Sequence, residues 1–128
     1  MSGDTFNMSG DFRGAMVNIK SKLDNVTQTI NNMPTADSSE KQELQALVEQ
    51  LKAELEQTPP ELVSEGEAVA QMTETLVEAA SAEKPNSTMV KITGEGLKQA
   101  AENVAAVMPT VLTIATQIVA TVGRIVGG

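Results

Sequence analysis

Any active site in this 128-residue chain would have to be built from seventeen acidic side chains, nine lysines and arginines, and a supply of serines and threonines. Cysteine, histidine, tryptophan and tyrosine are all absent. That removes thiolate nucleophiles, disulfides, imidazole bases and nearly all transition-metal sites. The acid pairs Glu61/Glu65 and Glu74/Glu78 sit one helical turn apart. Glycosidases and di-metal proteins use paired acids, but the di-metal sites need Glu-x-x-His partners that cannot exist here. These pairs read as a solvated acidic face. Ser38 stands three residues before Lys41 at a helix start, which is a capping arrangement rather than a nucleophile with its base. Gly94-x-Gly96 is half of a dinucleotide fingerprint, without the third glycine or the distal acid. Gly3-Asp4 and Gly10-Asp11 lack the alternating acids of a calcium loop and read as turns. The expectation is a chain that is not an enzyme and carries no cofactor and no metal.

Charge and composition narrow the partners. Residues 1–33 sum to zero, residues 34–83 carry twelve acids against Lys41 and Lys52 for a net −10, and residues 84–128 sum to +2. No basic patch exists to neutralise phosphates, which argues against nucleic acid and against anionic membrane surfaces. Phe6 and Phe12 are the only aromatic residues, so the core must be aliphatic and no stacking platform is available. The opening Met1-Ser2-Gly3-Asp4 has neither a basic nor an apolar leader, and a cytoplasmic protein is expected.

The elements that would position these residues are mainly helical. Ser-Gly-Asp occurs at residues 2–4 and again at 9–11, each time ahead of an aromatic, which reads as two short strands with tight turns. Met16, Ile19, Leu23, Val26, Ile30 and Met33 then follow a helical seam, although Val17 and Ile19 also alternate like a strand. We read strand to about Ile19, then helix to Asn32, ended by Pro34. Ser39 and Gln42 form a capping-box pattern ahead of the stripe Leu44, Leu47, Val48, Leu51 and Leu55. Pro59-Pro60 stops that helix, and Thr58 with Glu61 offers a second box for the next one. Helices are therefore expected at about 39–57 and 60–83, forming an acidic helical hairpin.

Residues 87–93 are β-prone and suggest one brief strand. A helix at about 95–108 follows, Pro109 interrupts it, and about 110–126 continues in helical period. Val104 to Gly123 holds no charge, long enough for a membrane span. Pro109, Thr110, Thr113, Thr116, Gln117 and Thr121 interrupt it, and we favour burial in the domain or against a protein partner.

The opening Gly-Asp-Thr-Phe-Asn-Met-Ser-Gly-Asp-Phe-Arg-Gly-Ala-Met-Val-Asn-Ile-Lys-Ser resembles N-terminal segments of small bacterial modules. Glu83-Lys84-Pro85-Asn86 and the stretch from Ile92 to Val104 are similar to the same group. The group so resembled belongs to bacterial signalling and conflict systems, near the death-like and TRADD-N-like adaptor domains. The resemblance implies homotypic association beside an effector protein and transfers no site residues.

The expected fold class is thus mainly α with a small N-terminal β element, a helical hairpin and a C-terminal Pro-interrupted helix. Residues 1–33 would be a β-prone association segment leading into a short helix, and 34–128 the helical domain. The expected function is a homo-oligomeric association adaptor, with a membrane-disrupting effector as the alternative. The contact candidates are Phe6, Phe12, Leu23, Val26 and Ile30, with Val111, Ile114, Ile118, Val122 and Ile125.

Overall fold

A computed structural model describes residues 2–34 and 36–127, with side chains from Phe12 onward. The described residues form five helices: α1 (Ser2–Asn31), α2 (Ser38–Leu55), α3 (Val63–Ala80), α4 (Ser87–Val104) and α5 (Pro109–Gly127). A single 3-10 turn, Pro60–Leu62, precedes α3.

The structure places helix where the sequence suggested strand. Residues 2–19 belong to α1, not to a β element. Val17 and Ile19 would share one face of a strand, yet Ile19 is buried and Val17 is 63% exposed, the separation a helix imposes. Burial of Ala15, Ile19, Leu23, Val26 and Ile30 along one side overrides the poor helix propensity of the glycines and asparagines around them. The expected strand at 87–93 is likewise the first part of α4. The side-chain oxygen of Asn86 accepts from the amides of Thr88 and Met89, capping the helix eight residues earlier than the expected start. Thr93, whose β-branch suggested a strand, donates its hydroxyl to the Met89 carbonyl inside the helix.

Two other details differ. The box that starts α2 is Asp37 with Glu40, two residues before the Ser39/Gln42 pattern, and both of its side chain–backbone hydrogen bonds are made. Thr58 closes α2 rather than opening the next helix: it is buried and donates to the Leu55 carbonyl at 2.7 Å. Gly66 gives it room, since a Cβ there would stand 3.3 Å from the Thr58 side chain.

The expected hairpin of α2 on α3 does not form. Each packs instead on α1, which lies between them; α3 then packs on α4, α4 on α5, and α5 back on α2. The five helices close a ring. Each connection reverses the chain, so an odd ring must contain one parallel pair of neighbours, and α1 with α3 is that pair. Asn18, Lys22 and Asn25 meet Glu67, Gln71 and Glu74, each 49 residues further on. A constant offset is the mark of parallel register. Between α1 and α2 the register runs the other way: Asp24 pairs with Lys52 at 2.8 Å, and Asn31 meets Gln45. One aliphatic core, drawn from all five helices, fills the ring.

Candidate association surfaces

Most of the sequence candidates for contact point inward. Leu23, Val26 and Ile30 are buried under α2 and α3, and Val111, Ile114, Ile118, Val122 and Ile125 form the core-facing stripe of α5. Both sets have the heptad-like spacing of an interface, but it is the interface of the chain with itself. Phe12 is half-buried, and Phe6 lies outside the described side chains. The acids are also partly engaged: Glu67 and Glu74 accept from Asn18 and Asn25, and Lys22 lies 3.9 Å from Glu74.

Among the described residues the exposed large apolar side chains are Val17 on α1, Val107 just after α4, and Met89 with Ile92, which lie together on α4. Val90, Leu97, Ala101 and Val104 face the core. Met89 and Ile92 fall off that stripe and are 44% and 56% exposed. Both share a helical row with Gly96, being seven and four residues before it. The half-buried Met72 of α3 lies across Gly96, its methyl 2.4 Å from where a Cβ would stand, a contact the flexible thioether could relieve by shifting. Met72, Met89 and Ile92 thus form an uncharged ridge along the α3–α4 seam. Two methionines make it adaptable, because the unbranched thioether repacks at little cost. Reading residues 87–93 as strand concealed this ridge. With the helix started at Asn86, the departure of Met89 and Ile92 from the core row is visible in the sequence.

A second open surface belongs to α5, which has a cleft on either flank. Between α2 and α5 a cleft of about 440 Å³ is lined by Glu43, Leu47, Gln117, Ala120, Thr121 and Arg124. Between α4 and α5 an apolar groove of about 280 Å³ is lined chiefly by Val90, Val119, Gly123 and Val126, with Lys91 at its edge.

The polar cluster in the first cleft ties α5 to α2. The Thr121 hydroxyl donates to Glu43 at 2.8 Å, and the Arg124 guanidinium pairs with the same carboxylate. The hydroxyl first, and then the guanidinium, hold the Glu43 carboxyl below its ordinary value of 4.5. A lowered folded-state value means the contact stabilises the fold above the unfolded-state pKa and is lost as pH falls through the folded one. We expect Glu43→Gln to lower the melting temperature slightly at pH 7, with the gap from the parent chain closing as pH drops below about 4. A gap that widens on acidification would show that the carboxylate does not act in this way.

Among the described residues no three His, Cys, Asp or Glu side chains are grouped to hold a metal ion. Comparison with family models, with curated proteins and with solved structures found no match.

Proposed function

We propose that the chain is a non-enzymatic protein–protein association module that self-associates, of the kind an adaptor in a bacterial signalling system uses in the cytoplasm beside an effector protein. The observation that carries this reading is the uncharged Met72–Met89–Ile92 ridge, which leaves two large apolar side chains in water on a helix otherwise ordered by its core face. We read these neighbouring exposed apolar side chains as part of a contact surface. Ile92→Glu places a charge on the ridge without touching the core. Light scattering across a concentration series should show self-association weakened by about tenfold or more, with an unchanged helical circular dichroism spectrum. Equal association by the parent and by Ile92→Glu would remove the ridge from this role.

The second reading is a membrane-disrupting effector. Pro109–Gly127 is long and apolar enough to cross a membrane, with a mean hydropathy of 1.5. Its aliphatic stripe already fills the core, so insertion would require α5 to leave the ring. Dye release from neutral or anionic vesicles by the purified chain would favour this second reading over the first.

A further inference from the structure

We propose that copies of this chain join head to tail: the projecting start of α1 in one copy seats its Met8–Phe12 row in the groove between α4 and α5 of the next. The proposal rests on reading the chain as an association module and gives it a second contact, independent of the α4 ridge.

α1 is longer than the helices it packs on. It has 30 residues, whereas α2 and α3 have 18 each. The offset of 49 between α1 and α3 sets Val63, the first residue of α3, level with Gly14. Against α2, Asp24 meets Lys52 and Asn31 meets Gln45, so Leu55, the last residue of α2, stands level with Ser21. Residues 2–13 therefore run past both neighbours, about 18 Å of helix. The core seam does not stop where the neighbours do. Counting back from Ile19 and Ala15 in steps of three and four, it continues through Phe12, Met8 and Thr5. Phe12, at the base of the projection, is half-buried. A seam at this spacing specifies a packed neighbour, and neither α2 nor α3 reaches far enough to be one.

The matching concavity lies at the other pole. Because the chain reverses at each connection, the pole opposite the start of α1 gathers the start of α4 and the end of α5. There the groove is lined by Ser87, Val90, Val119, Gly123 and Val126. Its volume of about 280 Å³ falls short of the roughly 300–1,000 Å³ of sites for small molecules, and suits one or two inserted side chains. A Cβ added to Gly123 would meet nothing within 4 Å, so a helix has room to lie against α5.

Charge selects the occupant. Residues 1–11 hold Asp4 and Asp11 and no lysine or arginine. Seven residues apart, these acids fall on one flank of the Met8–Phe12 row. Lys91 stands at the edge of the groove and makes no ion pair among the described residues. The acids of α2 and α3 would repel the same segment. Row and groove face opposite poles, so the contact is heterologous. Each copy gives at one end and receives at the other, building an open series or a ring.

The test uses full-length variants that all carry Ile92→Glu, which takes the α4 ridge out of the measurement. Adding Met8→Asp disables the projecting row. Adding Gly123→Glu blocks the groove with a side chain that has open space in its own copy. In sedimentation equilibrium the Ile92→Glu chain should still form a concentration-dependent series of oligomers. Each added substitution should weaken that association at least about tenfold. An equimolar mixture of the two should form a one-to-one dimer and nothing larger, because one intact row and one intact groove remain. A misfolded variant could not be rescued by its complement. Val17→Asp, on the opposite face of α1 at a side chain 63% exposed, should change nothing. Absence of the mixed dimer, or equal weakening by Val17→Asp, overturns the head-to-tail contact. So does an Ile92→Glu chain that is monomeric while the parent associates; association then runs through the α4 ridge, and the module reading stands without this contact. A parent chain that stays monomeric to about 200 µM, a concentration at which even a weak millimolar contact begins to populate, overturns both.

Discussion

Ile118→Asp should abolish the folded ring. The side chain is fully buried on the core-facing stripe of α5. Losing its apolar burial costs about 1.5–3 kcal/mol, and placing a carboxylate there without a partner adds several kcal/mol more. A small domain holds roughly 5–15 kcal/mol in total, so most of the population should be unfolded at room temperature. Circular dichroism should show the helical signal lost, or a transition broadened beyond a cooperative melt. Thr113→Asp is the matched control: it puts the same charge on the exposed face of the same helix and should shift stability by no more than about 0.5 kcal/mol. The pair of variants also separates the two functional readings. If Ile118→Asp melts within a few degrees of the parent, α5 is not held in the core, and a helix free to leave for a membrane becomes the better account.

Leu51→Ala should be among the costly simple truncations in α2, alongside the equally buried Leu44 and Leu55. Leu51 is fully buried and belongs to the continuous aliphatic core. Removing its branched end leaves a cavity under a helix tied on both sides, to α1 and to α5, which limits collapse. The expected loss is about 2–5 kcal/mol, read in urea as a lower midpoint with an unchanged slope. Leu47→Ala should fall toward the lower end of that range. Leu47 is 8% exposed and lines the α2–α5 cleft, where solvent can enter the space left by the missing atoms. Equal and small losses at both sites would contradict the packing of α2 described here.

The parts of this fold that were legible in the sequence are those set by periodic burial. Leu44, Leu47, Val48, Leu51 and Leu55 read as one stripe of α2 and lie on one buried stripe. The same holds for Val111, Ile114, Ile118, Val122 and Ile125 in α5, with Pro109 at its first position. Where local propensity opposed burial, the reading failed. Thr88, Val90, Ile92 and Thr93 suggested a strand, but Asn86 nucleates a helix and Val90 with Leu97 anchors it. Ring order was not legible either. Consecutive helices joined by Pro59-Pro60 suggest a hairpin, and nothing local announces that α1 lies between α2 and α3. That choice depends on which faces are apolar across the whole chain. The seam of α1 and the stripe of α5 looked like partner surfaces because a seam at heptad spacing specifies a contact without saying whether the other side belongs to the same molecule.

The odd number of helices has a mechanical consequence. A chain that reverses at every connection and does so four times enters the ring at one pole and leaves it at the other. Joining the beginning of α1 to the end of α5 would require a tether spanning at least the length of an 18-residue helix, about 27 Å. That is roughly eight residues even when fully extended. A short-linked circular permutant should consequently strain or split the bundle, whereas an even-numbered ring would accept it. By the same geometry, tension applied at the two poles pulls α1 and α5 lengthwise past their neighbours. It loads the helices in shear, with the whole core seam resisting at once, instead of peeling them away one turn at a time.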